Sequence, residues 1–132
     1  MARTGRCHCG GVSYSAEGEP EHHALCCCAD CRRWSGAPMA GWIAFKAERV
    51  TVEGEPVAYR SSEHATREFC GACGTGLFYR NEAMLPGIVD IQSGTLDDYE
   101  GDPPGAQIMV KERAGWMDRV EELPKFQTYP GM

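Results

Sequence analysis

The sequence lacks three features that each define a class of protein. No apolar run approaches the roughly 20 residues that a membrane-spanning helix needs. Residues 1–6 contain no apolar stretch of the kind found in a signal peptide, so we expect a cytoplasmic protein. The 13 Lys and Arg residues are outnumbered by 19 Asp and Glu residues, which gives a formal net charge of −6. This balance argues against electrostatic binding to nucleic acid or to an anionic membrane.

The chain also lacks internal repeats, low-complexity tracts, long linkers and any sustained helical periodicity. Its 132 residues are the length of one domain, and its 16 Gly and 8 Pro residues indicate many turns between short elements. We therefore predict a single, mainly β domain over residues 1–132. Short helical segments are expected at 29–34 and, behind a Thr95 cap, at 96–100. The predicted strands cover 12–16, 39–45, 50–52, 57–59, 76–79 and 88–91.

Eight cysteines stand out against this ordinary composition. A reducing compartment disfavours structural disulfides, and cysteines two or three positions apart rarely close a disulfide loop of useful length. The same spacing lets several thiolates converge on one metal ion from a tight turn. We therefore predict metal ligation rather than disulfides or scattered free thiols. The cysteines form three clusters: Cys7 and Cys9; Cys26, Cys27, Cys28 and Cys31; and Cys70 and Cys73.

The first and last clusters share a glycine signature. Glycine follows the second cysteine of each pair, at Gly10 and Gly74, where it permits a turn with positive φ that directs backbone N–H groups at the sulfurs. Two such turns, each giving two thiolates, form the closed four-thiolate site that is typical of structural zinc. The alternative is that either pair is buried and inert. The predicted ligands of this structural zinc are Cys7, Cys9, Cys70 and Cys73.

The middle cluster predicts a different kind of site. Neighbours in an extended segment point to opposite faces, so Cys26 and Cys28 share one side while Cys27 faces away. A turn over the next two residues returns Cys31 to that side. Three thiolates with an open fourth position are typical of a catalytic zinc rather than a structural one. The alternative is a second structural site, completed by Cys27 or by one of the distant histidines His22, His23 and His64.

Three thiolates also constrain the chemistry of the second ion. They donate much charge to zinc, which makes the ion a weaker Lewis acid toward water than one held by neutral imidazoles. Such a site suits a soft fourth ligand, and this favours a thiol-bearing small molecule as substrate. An anionic ligand would need local cations. Arg32 and Arg33 directly follow Cys31 and could serve, although solvated surface arginines are an equal alternative.

Four segments of the sequence carry further motifs around the cysteines. They are Gly5-x-Cys7-His8-Cys9-Gly10-Gly11-Val12, Cys26-x-Cys28-x-x-Cys31-Arg32-Arg33-x-Ser35-Gly36-Ala37, Phe69-Cys70-x-x-Cys73-Gly74 and Gly94-Thr95-Leu96-Asp97-Asp98. Together these motifs resemble the glutathione-dependent formaldehyde-activating enzyme family, whose domain centromere protein V shares. The resemblance runs from Gly5 to about Trp116 and leaves 117–132 as a C-terminal extension.

This resemblance implies a fold of small coiled β-sheets tied by zinc, like that of the Rab-exchange-factor chaperones. It implies two Zn²⁺ ions, a structural one on the first four-cysteine set and a catalytic one on Cys26, Cys28 and Cys31. The implied activity is that of a carbon–sulfur lyase, which reversibly joins the thiol of glutathione to formaldehyde as S-(hydroxymethyl)glutathione.

Two functions from different classes therefore remain. The first is a zinc-dependent carbon–sulfur lyase acting on a small thiol, with Arg32, Arg33 or Arg67 holding a substrate carboxylate. The second is a non-catalytic zinc-binding module that binds a protein partner, for which Trp34 and Trp42 would suit if they were exposed. A catalytic zinc needs an open position and a pocket, whereas a module needs two closed sites and an apolar patch.

Overall fold

The computed structural model describes residues 1–131, and over that range the chain is mainly β with one short α-helix. Ten strands alternate with tight turns and short 3₁₀ segments, which follows from the many glycines and prolines. The elements are β1 (Ala2–Arg6), β2 (Ser13–Glu17), β3 (His22–Cys26), α1 (Ala29–Ser35), β4 (Ala40–Lys46), β5 (Val50–Glu53), β6 (Val57–Arg60), β7 (Ala65–Phe69), β8 (Gly76–Asn81), β9 (Ile88–Gln92) and β10 (Ala106–Ile108).

The strands form two sheets. Strands β1, β2 and β5 make a three-stranded antiparallel sheet. The larger sheet has the order β10-β3-β4-β9-β8-β7-β6, in which only the β10–β3 pair is parallel among the described strands. The mainly β, single small domain predicted from the sequence is therefore confirmed. None of the helices within residues 1–131 has the length and apolar character required to cross a bilayer.

The main core joins one face of the large sheet to the small sheet. Alternate residues of β4 and β9, such as Ile43 and Phe45 opposite Ile91 and Val89, point to this face and are fully buried. The small sheet contributes side chains such as that of Tyr14, whose ring meets Phe78 edge-on at a centroid distance of 5.6 Å. This core fixes the large sheet, and with it the cysteine-bearing turns at the strand ends.

The opposite face of the large sheet carries a second, smaller buried cluster. Trp42 alternates with the core residues of β4 and is 5 % exposed. Ala40 lies opposite Cys26 in the register between β3 and β4. Partly buried Trp34, from α1, packs against the same cluster. The short helix and the middle cysteines therefore lie together on this second face.

Six predicted strands and the first helix are confirmed, but the predicted helix at 96–100 is wrong. The structure has a 3₁₀ turn at Ser93–Thr95, immediately before these residues. Leu96 is 7 % exposed in the main core and forms a bridge to Gly5, which holds it in an extended conformation. The Thr95 hydroxyl donates to the Gln92 carbonyl oxygen and contacts the Tyr14 hydroxyl at 2.7 Å, so it does not cap a helix. Burial of one leucine overrides the local helix signal.

Candidate functional site

The first and last cysteine pairs meet at one point. The turn between β1 and β2 carries Cys7 and Cys9, and the turn between β7 and β8 carries Cys70 and Cys73. All four sulfurs lie within 4.8 Å of one another, and Cys9 Sγ is 3.7 Å from the sulfurs of both Cys7 and Cys70. A tetrahedron of sulfurs about 2.3 Å from a zinc ion has edges of about 3.8 Å. The spacing of these sulfurs therefore fits one zinc ion.

The glycine turns position these sulfurs as the sequence predicts. Gly10 has a φ of 82° and Gly74 a φ of 84°, both in the left-handed region. In the first turn, the N–H groups of Gly11 and Val12 donate to the sulfurs of Cys9 and Cys7 at 3.4 and 3.3 Å. Backbone N–H groups aimed at sulfur stabilise the thiolate form, which is the form that binds metal.

The four thiols do not ionise independently. A hydrogen bond with the Thr75 hydroxyl, 3.2 Å away, is the main cause that lowers the pKa of Cys73 to about 5. The Gly11 N–H lowers the pKa of Cys9, but the neighbouring cysteines outweigh it and raise that pKa to about 11. Four thiolates this close repel one another unless a cation lies between them. The donor set therefore matches a divalent metal ion and is compatible with zinc.

The middle cluster contains three cysteines and not four. The sulfurs of Cys26, Cys28 and Cys31 lie within 4.8 Å of one another. Among the described residues, Cys27 is not part of this group; it is 1 % exposed, and its N–H donates to the Ile108 carbonyl oxygen. The contrast between a four-sulfur and a three-sulfur cluster, predicted from spacing, is therefore present in the structure.

The three candidate histidines lie outside both cysteine clusters in the described part of the chain. His22 and His23 are at the start of β3, at the opposite end of that strand from Cys26. His22 Nε2 lies 3.2 Å from Asp90 Oδ1, and His23 Nδ1 bonds the Asp102 carbonyl oxygen at 2.6 Å. His64 lies between β6 and β7 beside Glu63, with a nitrogen–oxygen distance of 3.8 Å. No histidine here completes the three-sulfur group.

Helix α1 positions two of the three sulfurs, those of Cys28 and Cys31. Cys28 is the N-cap of α1, and its sulfur accepts the Cys31 N–H at 3.2 Å. Burial raises the pKa of Cys28, but this hydrogen bond and others outweigh burial, so that its pKa is lowered overall. Burial raises the pKa of Cys26 to about 12 and is also the main cause of the raised pKa of Cys31. Cys28 is therefore the easiest of the three thiols to ionise, and a nearby cation would favour the thiolate form of the other two.

Arg67, from β7, lies directly beside this cluster. Its side chain is 3 % exposed, with Nη2 3.8 Å from Cys31 Sγ and 3.1 Å from Asp30 Oδ2. The guanidinium carbon lies 5.5, 5.9 and 5.0 Å from the ring centroids of Trp34, Trp42 and Tyr79. A buried cation is stable only with compensating charge or π contacts, and Arg67 has both. It is the one of the three candidate arginines that contacts a cluster sulfur in the described structure.

The other two candidate arginines are exposed on α1. Arg33 lines a small cavity together with Arg67, and Arg32 does not line it. Sequence reasoning missed Glu112, which reaches the first residue of α1 from a 3₁₀ turn that follows a left-handed Met109. Its Oε1 accepts the Ala29 N–H at 2.9 Å, across 83 positions of sequence. No local signal in the C-terminal segment identifies it.

A cavity of about 390 Å³ lies next to the apolar residues that surround the three-sulfur cluster, although no cysteine lines it. It shares Trp34 and Ala40 with those residues, and Gly76 and Gln92 also line it. The buried indole nitrogen of Trp34 has no hydrogen-bond partner. A larger depression of about 690 Å³ lies over β3 and β10 and shares no residue with that apolar cluster. The smaller cavity is therefore the better candidate for a substrate of the cysteine cluster.

The chain is similar to a known protein family, to a curated protein and to a solved structure. A family described as glutathione-dependent formaldehyde-activating enzyme matches residues 2–112. The chain is 31 % identical over 75 residues to a protein of Schizosaccharomyces pombe named as an uncharacterized lyase; the match covers 57 % of this chain and 55 % of that relative. The chain thus spans about half the length of the curated relative. A crystal structure of a Rhodobacter sphaeroides protein is similar in fold, with a TM-score of 0.62, 23 % identity, and coverage of 79 % of this chain and 98 % of that chain.

Proposed function

The chain belongs to the glutathione-dependent formaldehyde-activating enzyme family, and on that premise we propose that it is a zinc-dependent carbon–sulfur lyase. Its reaction would be the reversible addition of a small thiol, such as glutathione, to formaldehyde. In the forward direction a sulfur–carbon bond forms, the carbonyl π electrons move to oxygen, and the thiol proton ends on that oxygen. The reverse step breaks the same bond. The proposal places the protein in the cytoplasm, where its thiols stay reduced.

The observation that carries the proposal is the difference between the two cysteine clusters. Cys7, Cys9, Cys70 and Cys73 can fill all four positions of a tetrahedral ion, so we assign them the structural zinc. Cys26, Cys28 and Cys31 can fill only three, so we assign them the catalytic zinc. When bound there, zinc supplies positive charge that keeps a substrate thiol ionised at neutral pH.

The surrounding residues would support this chemistry. The Arg67 guanidinium beside Cys31 offsets part of the thiolate charge and keeps that ligand oriented. The rings of Trp34, Trp42 and Tyr79 around it reduce water access, which strengthens charge interactions in the site. A substrate carboxylate would be held by the arginines. We favour Arg67 and Arg33 for this role over Arg32, because only the first two line a common cavity.

The decisive experiment measures exchange at equilibrium. Glutathione and formaldehyde combine without a catalyst, so the test is NMR exchange spectroscopy on their equilibrated mixture, with and without the zinc-loaded protein. We expect the exchange rate to rise in proportion to protein concentration while the equilibrium composition stays unchanged. Protein that holds both zinc ions and leaves the rate unchanged for glutathione and for simpler thiols would overturn the lyase proposal.

A second candidate function, a zinc-binding module for a protein partner, is favoured by one observation. The segment after β10 leaves several large apolar side chains exposed. Trp42 is buried and Trp34 is half-buried, so the two tryptophans named from the sequence do not form such a patch. The likeness to the Rab-exchange-factor chaperone fold stays a prediction. The exposed apolar residues are Met109, Val110, Trp116, Val120, Leu123, Phe126 and Tyr129.

A further inference from the structure

Arg67 lines a small cavity that differs from the cavity of about 390 Å³, although Trp34 lines both. It has a volume of about 240 Å³ and lies between α1 and the hairpin of β6 and β7. Tyr59 lies directly opposite Arg67 in the register of that hairpin, so both side chains point to the helix side. The Tyr59 ring stacks on the Trp34 ring at 6.0 Å and forms one wall. The lining residues are Asp30, Arg33, Trp34, Tyr59, Ser61 and Arg67.

Two polar atoms at this cavity are buried without a hydrogen-bond partner. One is Nη1 of Arg67, and the other is Oγ of Ser61. The second terminal nitrogen of the guanidinium, Nη2, is already engaged by Asp30 and Cys31, which leaves Nη1 as the unused donor. Buried donors that lack a partner are costly and rare in native structures. Two of them lining one cavity indicate that a ligand completes their hydrogen bonds.

The charge around the cavity defines the kind of ligand. Arg33 and Arg67 bring two positive charges and Asp30 one negative charge, so the lining carries a net charge of +1. The chain as a whole carries −6. A guanidinium N–H and a hydroxyl together match the two oxygens of a carboxylate. The stacked Trp34 and Tyr59 rings leave an apolar wall for a short carbon chain.

We propose that this cavity is a carboxylate-binding subsite, in which Arg67 Nη1 and Ser61 Oγ donate to the anion and Arg33 adds positive charge at its mouth. The inference rests on the proposed lyase function and narrows its substrate to thiols that carry a carboxylate. The same guanidinium contacts Cys31 Sγ at 3.8 Å, so the carboxylate and the cysteine cluster lie on either side of one rigid group.

The test is calorimetric titration of the zinc-loaded protein with three matched probes. Mercaptopropionate carries a thiol and a carboxylate, mercaptopropanol replaces the carboxylate with a hydroxymethyl group, and propionate lacks the thiol. We expect mercaptopropionate to bind roughly tenfold or more tightly than mercaptopropanol, as one or two charge-assisted hydrogen bonds would give. Equal dissociation constants for the two thiols would overturn the subsite while leaving the proposed lyase in place.

Single-residue variants then test which side chains cause the preference for mercaptopropionate over mercaptopropanol. Ser61→Ala and Arg33→Gln should each reduce the affinity ratio between the two thiols toward one, without changing the affinity for mercaptopropanol. Arg60→Gln is the matched control, because Arg60 is exposed and lies between Tyr59 and Ser61, on the opposite face of β6. A loss of preference in Arg60→Gln as large as in Arg33→Gln would overturn the subsite in favour of general charge attraction.

Arg67→Lys tests the central residue without removing its charge. A lysine cannot donate to Cys31, Asp30 and a carboxylate in the fixed plane of a guanidinium, so the preference should fall even if zinc content is retained. If Arg67→Lys does not fold, the affinity ratios of Ser61→Ala and Arg33→Gln still test the subsite. If propionate and mercaptopropionate bind with equal dissociation constants, if Ser61→Ala abolishes both, and if mercaptopropanol does not bind, the subsite is supported and the thiol contributes nothing, which would overturn the lyase.

Discussion

The sulfurs of Cys9 and Cys70 lie 3.7 Å apart although 61 positions of sequence separate the two residues. One belongs to the turn after the first strand of the small sheet, and the other to a turn of the large sheet. A metal ion at this point would therefore join the two sheets, in addition to the core that they share. We therefore expect the four-cysteine cluster to be a determinant of global stability.

Loss of one ligand of the four-cysteine cluster should unfold the protein. Structural zinc contributes on the order of 10 kcal/mol in small domains, which is comparable to the whole stability of a domain this size. We expect Cys7→Ser and Cys73→Ser to give insoluble or unfolded protein that has lost this zinc. Circular dichroism and zinc content by mass spectrometry would check it. Either variant with full stability and unchanged zinc content would refute the structural assignment.

Loss of one ligand of the three-cysteine cluster should have a local effect. Cys26, Cys28 and Cys31 lie within six positions, so the ion holds one loop rather than two sheets. Serine is a poor zinc ligand at neutral pH but a good helix N-cap, so Cys28→Ser should keep α1 and lose the second zinc. We expect a folded protein with one zinc ion and an exchange rate equal to that of the uncatalysed reaction.

Cys27→Ser is the matched control for that variant, because Cys27 lies in the same segment and is not part of the cluster. It should keep both zinc ions and the full exchange rate, although its burial predicts a small loss of stability. If Cys27→Ser loses the second zinc as completely as Cys28→Ser does, the cluster is a closed four-thiolate site. The binding-module function would then be the better account.

Asp90 should make stability depend on pH. Burial raises the pKa of Asp90 above its ordinary value of 3.8, and His22 offsets only part of that rise. The folded state therefore binds the Asp90 proton more tightly than the unfolded state does. This stabilising contribution is fully present below pH 3.8 and is lost as the pH rises through the raised pKa.

The variant Asp90→Asn removes that dependence. We expect its free energy of unfolding, relative to the unmodified protein, to increase as the pH rises through the raised pKa of Asp90 and then to level off. Urea denaturation of both proteins across this pH range measures the difference, in which the effect of pH on the zinc sites cancels. A relative stability that stays constant, or that falls with rising pH, would show that Asp90 is not the titrating group.

Gly5→Ala should destabilise the protein through overpacking. A Cβ at Gly5 would overlap the Tyr14 hydroxyl and the Thr95 carbonyl oxygen, which is backbone and cannot swing away. We expect a loss of about 1–3 kcal/mol in the free energy of unfolding. Gly94→Ala is the matched control, because a Cβ there meets no atom within 4 Å. It should change stability by less than about 0.5 kcal/mol. Equal effects of the two substitutions would contradict the packing argument.

The sequence by itself determined the features that depend on local geometry. The three sulfurs at Cys26, Cys28 and Cys31 follow from spacing within one turn, and the turns at Gly10 and Gly74 follow from the freedom of glycine at positive φ. The mainly β class follows from short apolar runs between turn residues. Strands β1, β3, β7 and β10 were not predicted, because the first three carry charged or histidine side chains and β10 has only three residues, all exposed.

Only the tertiary structure decided which distant residues meet these local features. Arg67 reaches Cys31 across 36 positions, and Glu112 reaches Ala29 across 83, because strand register and a single left-handed residue place them there. Leu96 is extended rather than helical because the core buries it. Local spacing is set by bond geometry, which the sequence carries directly. The register between distant strands depends on which apolar faces of the sheets are buried against each other, and this burial exists only in the folded chain.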